Sequence, residues 1–192
     1  MTKNRLKVEA IEISGVATAL RTLRRPFKLD ARSEVNSSYN NFIGVYDGEK
    51  YESYSPCIYD YININEKDLA LMQRLIKNGD EEAKFTRLIM AYMTITAPRW
   101  WWVEMSTYEI GVIKGCGEST MHTDCKGLKG EELMEFKDNM PQGNLETRDM
   151  AFSYQTLRRI FFQRRDHRLP IWGLFCEHIK TLPLAKELIT IE

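Results

Sequence analysis

The chain has 192 residues, of which 43% are hydrophobic, and this length and composition favour one domain with one sizeable core. Lysine plus arginine and aspartate plus glutamate number 27 each, so no net field attracts duplex nucleic acid or an anionic membrane. The N-terminus has no signal-like apolar run, and no segment reaches the roughly 20 apolar residues that span a bilayer. We therefore expect a single cytoplasmic domain, residues 1–192, without a membrane or duplex nucleic acid as partner.

The four cysteines lack the dense spacing of a secreted disulfide scaffold, so reduced thiols are expected. The residues from which a zinc site could be assembled are Cys116, His122, Cys125, Cys176 and His178. Their spacing matches no compact Cys-x-x-Cys pattern. Buried or incidental thiols are the better interpretation, and we predict no metal site.

The first third of the chain predicts a strand, a helix and a long loop. Residues 5–13 alternate apolar and polar side chains, with a slip of phase at Ala10-Ile11, as in a strand. Ser14 is the expected N-cap of a short helix that Pro26 ends. Residues 28–54 are polar and indicate a long loop or a loose hairpin around Asp47-Gly48.

The middle of the chain predicts a second helix, a buried strand and a third helix. Asn65 is the expected N-cap of the second helix, and Gly79 occupies its C′ position. Residues 88–96 are apolar on both phases, which is typical of a strand covered on both faces. Pro98 suits the first turn of a following helix, predicted over residues 98–110.

That third helix carries three consecutive tryptophans and an inward carboxylate. Glu104 shares one stripe with Trp101, Met105 and Tyr108, so it needs a partner on the core side. A structural ion pair or a capping role is the first interpretation, and a ligand contact is the second. For Trp100 to Trp102, the core or a subunit interface is favoured over a platform that stacks a base or a flavin.

A glycine-broken stretch, with Gly111, Gly115 and Gly117, leads into the run from Ser119 to His122. We predict a turn there. It could bind a phosphate, since glycines let the backbone approach a ligand closely and adjacent hydroxyls can donate to phosphate oxygens. Glycine and serine also mark ordinary loops, so this signal is weak alone. Residues 130–139 predict a short helix and residues 141–148 a connector.

The last third is predicted to be helical. Over residues 153–165, Arg164 falls in line with the apolar stripe, while Arg158 lies towards its edge. An arginine on an apolar face must be paired, either with a carboxylate such as Glu104 or with a bound phosphate. In the helix that starts at Pro170, His178 is interpreted as a satisfied histidine at the core edge.

The order of these elements resembles the flavin-dependent thymidylate synthases, also called thymidylate synthase complementing proteins. The residues that carry the resemblance run in order: Leu75 to Asp80, Lys84-Phe85, Met93-Thr94-Ile95, Pro98, Glu104-x-x-Thr107-Tyr108-Glu109, Ser119 to His122, Met140-Pro141, and Leu157 through Arg164 to Pro170-Ile171-Trp172. The resemblance implies the fold of that family, a nucleotide site and a homo-oligomer, most simply a tetramer, with sites shared between subunits.

Several motif positions depart from the family. Its Arg-His-Arg triplet, which holds flavin and nucleotide phosphate, is replaced by Thr107, Tyr108 and Glu109. The arginine of its Ser-x-Arg-Tyr loop is Met121, and the glutamine before the triplet is Glu104. Losing two arginines removes bidentate contacts worth roughly 1.5–3 kcal/mol each, so the cofactor expectation is none or weakly bound FAD.

These observations predict an α/β (α+β) domain with a mainly antiparallel sheet flanked by helices and a helical C-terminal third. We expect a homo-oligomer that binds a nucleotide or another small phosphate ligand, for instance a phage-type protein that binds or sequesters a nucleotide. The predicted nucleotide-binding residues are Ser119, Thr120, Arg164, Glu104, His122, Tyr108 and Arg158. The alternatives are an active flavin-dependent enzyme that methylates dUMP or modifies a related pyrimidine nucleotide, and a structural module whose tryptophans form an obligate interface.

Overall fold

The computed structural model describes residues 5–27, 38–39, 42–46, 51–52 and 62–192. Its centre is a six-stranded sheet of order β4-β3-β1-β6-β8-β7 in which every neighbouring pair is antiparallel. A separate two-stranded pair joins β2 and β5. The strands are β1 (Lys7–Ser14), β2 (Ser38–Tyr39), β3 (Phe42–Tyr46), β4 (Tyr51–Glu52), β5 (Ile62–Asn63), β6 (Met90–Pro98), β7 (Val112–Gly117) and β8 (Leu145–Ser153).

Helices accompany this sheet and dominate the last third of the chain. They are α1 (Val16–Arg24), α2 (Glu66–Lys77), α3 (Arg99–Met105), α4 (Gly130–Asp138), α5 (Tyr154–Arg164) and α6 (Pro170–Lys180). Two 3₁₀ turns, Arg25–Phe27 and Lys84–Arg87, and a π-helical turn, Ala185–Ile189, complete the described elements. The predicted fold class, a mainly antiparallel sheet flanked by helices, is confirmed. None of these helices is long and apolar enough to cross a membrane, as far as the described residues extend.

The first strand and helix follow the sequence pattern closely. The register of β1 against β6 shifts between Glu9 and Glu12, at the predicted slip of phase. Ser14 is still paired in β1, so the prediction that it caps α1 was wrong. The N-cap is Gly15, whose φ of 85° suits glycine and whose missing side chain avoids the carbonyl of Leu88.

The predicted hairpin around Asp47-Gly48 lies in residues 47–50, outside the described residues, although β3 and β4 on either side of it pair antiparallel. At α2, the prediction of both ends is confirmed. The side chain of Asn65 accepts a hydrogen bond from the amide of Lys67 at 2.9 Å, and Gly79 follows the last turn with a φ of 107°.

Strand β6 is covered on one face and partly open on the other, so the prediction of two covered faces was wrong. Ala91, Met93 and Ile95 are buried, whereas Tyr92 between them is 40% exposed. An antiparallel sheet can leave one face towards solvent, and here the helices use the face of Met93 and Ile95. The open face therefore carries an aromatic side chain at the centre of the sheet.

Helix α3 ends five residues earlier than predicted. The hydroxyls of Ser106 and Thr107 donate to the carbonyls of Val103 and Glu104, which turns the chain after Met105. Gly115 and Gly117 then lie in β7 rather than in a turn, and residues 145–148 begin β8 rather than a connector. Both corrections concern the same feature, since β7 pairs with β8 along the sheet edge.

The tryptophans of α3 belong to the core of this chain. Trp101 and Trp102 are buried, and the ring of Trp101 lies 5.0 Å from that of Trp172 and 5.4 Å from that of Phe175. Trp100 is partly buried and packs against the same cluster. The core interpretation of these residues is thus confirmed for Trp101 and Trp102, and α3 is anchored against α6.

Replacing Gly111 by alanine is expected to destabilise the sheet edge. Gly111 has a φ of 72°, and an added Cβ would overlap the hydroxyls of Ser153 and Thr156, which bond each other at 2.9 Å. We expect a loss of about 1–3 kcal/mol in urea denaturation. Gly173→Ala is the control, because a Cβ there meets nothing within 4 Å in a helix. Equal stabilities of the two variants would contradict this assignment.

Candidate functional site

Helix α3 lies between a group of polar side chains and a cavity. Glu104 points towards the C-terminal helices, where it meets residues of α5 and α6. Met105 and Ser106 instead line a cavity against β7 and β8. The placement of this short helix therefore determines the geometry on both sides.

The first group is a hydrogen-bonded network around Glu104. One oxygen of this carboxylate accepts a hydrogen bond from the indole of Trp172 at 2.6 Å and faces the Arg164 guanidinium at 3.3 Å. Arg164 Nε donates to the hydroxyl of Tyr108 at 2.9 Å, and that hydroxyl donates to Gln163 at 3.0 Å. The inward carboxylate is thus paired, as the first interpretation of Glu104 predicted.

Arg164 is held by more than this ion pair. Its guanidinium lies 4.4 Å from the centroid of the Trp172 ring, and one terminal nitrogen lies 2.9 Å from Nε2 of His167. Its side chain is 18% exposed. Such a partly buried, stacked guanidinium contributes to the attachment of α5 to α3 and α6.

The second group lies in the turn after β7. The amide of His122 donates to the carbonyl of Ser119 at 3.1 Å, and the amide of Cys125 donates to that of Thr120 at 2.8 Å. The Lys137 ammonium of α4 donates to the hydroxyl of Thr120. Hydroxyl groups and an ammonium group therefore lie close together at the surface. Phosphate oxygens accept hydrogen bonds from both kinds of group.

Arg158 lies at a third place. Its guanidinium donates to the carbonyl of Ile189 at 2.9 Å and to that of Ile191, and it stacks on Phe162 at 4.6 Å. Burial lowers its pKa, and the charge of Asp80 opposes that change. Arg158 thus holds the C-terminal segment against α5.

The seven predicted site residues are therefore distributed over three places. Glu104, Tyr108 and Arg164 form one network, Ser119, Thr120 and His122 form the turn, and Arg158 stands apart. Within the described part of the chain, no hydrogen bond or ion pair joins Ser119 to Arg164. A nucleotide-binding role for these residues stays a prediction.

A cavity of about 210 Å³ lies beside the turn, between α3 and the β7–β8 edge. Glu118, which directly precedes Ser119, lines it together with Trp102, Lys114, Glu146 and Arg148. Sequence reasoning missed Glu146 and Arg148 because it assigned residues 141–148 to a connector. Their i, i+2 spacing would have placed them on one face had β8 been recognised.

The polar groups of this cavity are arranged in pairs. Arg148 Nε donates to Glu146 Oε1 at 2.9 Å, and its guanidinium lies 4.8 Å from the centroid of Trp102. Glu118 accepts a hydrogen bond from the amide of Thr147 at 2.9 Å. Lys114 forms an ion pair of 2.6 Å with Glu109, which is not part of the cavity lining. The lining thus carries two cations and two carboxylates.

The three described thiols, Cys116, Cys125 and Cys176, do not form a metal site with His178. Among the described residues, no group of three or more His, Cys, Asp or Glu side chains is placed to hold a metal ion. Burial raises the pKa of Cys176 to about 12 and lowers that of His178 to about 4. Both side chains are therefore neutral near pH 7, and both project from α6 into the protein core.

No protein-family model and no curated protein matches this sequence. Solved structures do match the fold. The flavin-dependent thymidylate synthase ThyX from Helicobacter pylori, in a crystal structure with FAD and dUMP, is 12% identical with a TM-score of 0.66, over 96% of this chain and 98% of that chain. A second structure of ThyX from the same organism with FAD and dUMP gives a TM-score of 0.65 at 12% identity, over 96% and 97%.

The chain has the fold of these flavin-dependent thymidylate synthases along nearly its whole length. The fold that the sequence resemblance implied is thereby confirmed. At 12% identity the likeness concerns the course of the backbone and not the chemistry of the site.

Arg164→Ala is expected to lower the stability of the protein by roughly 1.5–3 kcal/mol, because Glu104 and Tyr108 lose a charged hydrogen-bonding partner. Chemical denaturation measures this loss. The control is Arg165→Ala, whose more exposed side chain pairs with Glu192 and whose removal should lower the stability less. An Arg164→Ala variant of wild-type stability that has lost nucleotide affinity would assign Arg164 to the ligand instead.

Proposed function

We propose that this chain is a nucleotide-binding homo-oligomer built on the flavin-dependent thymidylate synthase fold. The observation that carries the proposal is the likeness, over 96% of the chain, to two structures that hold FAD and dUMP. A fold alone does not fix a function, so the proposal also needs local chemistry that suits a nucleotide.

The turn after β7 supplies that local support. Ser119 and Thr120 offer hydroxyl groups, and Lys137 brings a positive charge to Thr120. His122 is exposed beside them. A cavity with an aromatic floor opens next to this turn, as a binding site for a base and a phosphate would require.

The residues that replace the Arg-His-Arg triplet do not fit a flavin diphosphate. Tyr108 is buried and hydrogen-bonded to Arg164 and Gln163, and Glu109 is a surface carboxylate paired with Lys114. Glu109 and its partner Lys114 together carry no net charge where a diphosphate needs cations, so the electrostatic attraction for the cofactor is missing. We propose binding or sequestration of a nucleotide, as expected of a phage-type protein, rather than the standard synthase reaction.

The proposal is tested by thermal melting with dUMP and with FAD, and by the visible absorbance of the purified protein. A ligand that binds only the folded state stabilises it by about 2.7 kcal/mol at a hundredfold excess over its Kd. We expect dUMP to raise Tm, deoxyribose 5-phosphate to raise it less, and little or no flavin to co-purify.

Two other outcomes would overturn the proposal in different directions. Stoichiometric flavin in the purified protein would favour the alternative, an active enzyme that acts on dUMP or a related pyrimidine nucleotide. A Tm that no nucleotide changes would favour a structural module.

The homo-oligomer in this proposal is supported by the open face of the sheet. Tyr92, Ala151 and Ile113 lie side by side across β6, β8 and β7, and Tyr92 and Ile113 are 40% and 58% exposed. Adjacent exposed apolar side chains on a sheet are typical of a surface that another subunit covers. We propose that copies of this chain pack there, four in number as the family resemblance implies.

Ile113→Glu is expected to dissociate the oligomer, because it would place a charge in the apolar contact. Light scattering coupled to size exclusion measures the mass. Met134→Glu is the matched control, since Met134 is 61% exposed on α4, away from the sheet face. A wild-type monomer at micromolar concentration would contradict the oligomer.

A further inference from the structure

The cavity beside α3 has a floor of buried apolar side chains and a wall that can form hydrogen bonds. Trp102 and Met105 form the floor and are almost completely buried. Glu146 and Arg148 form the wall and are partly accessible, with 17% and 35% of their side chains exposed. A ligand in this cavity of about 210 Å³ therefore meets polar atoms that neighbouring residues already hold in place.

Glu146 and Arg148 present an acceptor and donors side by side. They lie two residues apart on β8 and so share one face of the strand. Their mutual bond uses Nε of Arg148 and one oxygen of Glu146. Within the described part of the chain, the terminal guanidinium nitrogens and the second carboxylate oxygen make no other hydrogen bond.

Trp102 fixes this pair in position. Its ring lies under the Arg148 guanidinium at 4.8 Å, and its indole nitrogen donates to the backbone carbonyl of Glu146 at 2.9 Å. The indole and the guanidinium therefore lie in contact, and both line the cavity.

Gly117 of β7 leaves room for Arg148 in the cavity wall, whereas Gly115 leaves room for Asp149, which is not in the cavity lining. A Cβ at Gly117 would lie 2.9 Å from Cγ of Arg148, and one at Gly115 would lie 2.9 Å from the carbonyl oxygen of Asp149. Neither glycine has a positive φ, so the close approach to β8 is the requirement they meet. Of the glycines in this stretch of the sequence, Gly117 is therefore the one that borders Arg148 in the wall.

The charge balance of the cavity identifies the part of a nucleotide that suits it. Lys114 is paired with Glu109 and Arg148 with Glu146, so neither cation of the lining is left unpaired for a phosphate. A base such as uracil has a carbonyl oxygen next to a ring N–H, and this edge matches the donors of Arg148 and the acceptor of Glu146.

We propose that this cavity binds the base of the nucleotide, with the edge of the base hydrogen-bonded to Glu146 and to the terminal nitrogens of Arg148. The inference rests on the proposed nucleotide-binding function and extends it by assigning the base to named residues. The phosphate lies outside the cavity, at the turn that begins with Ser119 directly after Glu118.

The test is calorimetric titration of wild type and Glu146→Gln with dUMP, deoxyuridine and deoxyribose 5-phosphate. The substitution removes the charge of the acceptor at nearly constant shape. We expect the affinity for dUMP and for deoxyuridine to fall about tenfold or more, and the affinity for deoxyribose 5-phosphate to stay unchanged. Glu177→Gln is the control, because that carboxylate pairs with Lys180 on the exposed side of α6.

A second variant, Gly117→Ala, places a Cβ against the Arg148 side chain without changing the charge of the cavity, and it should weaken the binding of dUMP and of deoxyuridine. If Glu146→Gln does not fold, the affinities of Gly117→Ala for the three ligands provide the test. Gly173→Ala is its control. Wild-type affinity for dUMP in both variants would overturn the base site and leave the proposed function standing. Equal loss for all three ligands would make Glu146 structural, which also overturns the base site. A wild type that binds none of them would overturn the proposed function as well.

Discussion

The pairing of the Glu104 carboxylate with Arg164 and Trp172 is the contact on which the arrangement of the C-terminal third depends. It ties α3, which is only seven residues long, to both α5 and α6. So short a helix has little stability of its own in water and must be fixed by tertiary contacts. With Glu104 held on one side and Trp101 in the core, Trp102 is directed towards β8, where it supports the cavity wall.

The parts of the fold that sequence reasoning identified are those defined by local chemistry. The Asn65 cap, the Gly79 stop and the slip of phase in β1 each depend on a few adjacent residues. Strand β8 was missed because its sequence, LETRDMAFS, is polar in its first half and acquires its role only between β6 and β7. β-propensity depends on such neighbours, which a single sequence does not display.

The same limit applies to the candidate site. The partner of Glu104 was predictable, since an inward carboxylate and an inward arginine lie on neighbouring helices and each needs the other. The cavity wall was not, because Glu146 and Arg148 belong to the unrecognised strand and come to Trp102 only through strand pairing. The glycines of β7 were noticed, but as a turn, because a strand that needs glycine for close approach looks like a loop in sequence.

The substitutions at the motif positions act together rather than one at a time. The family glutamine at the position of Glu104 is a neutral amide, which binds a guanidinium less strongly than a carboxylate does. With Glu104 in its place, Arg164 gains a charged partner and a stacking surface on Trp172, and its positive charge is balanced inside the chain. A phosphate at Arg164 would have to compete with that carboxylate. In the proposed function the anion therefore lies elsewhere, at the hydroxyls and the Lys137 ammonium of the turn after β7.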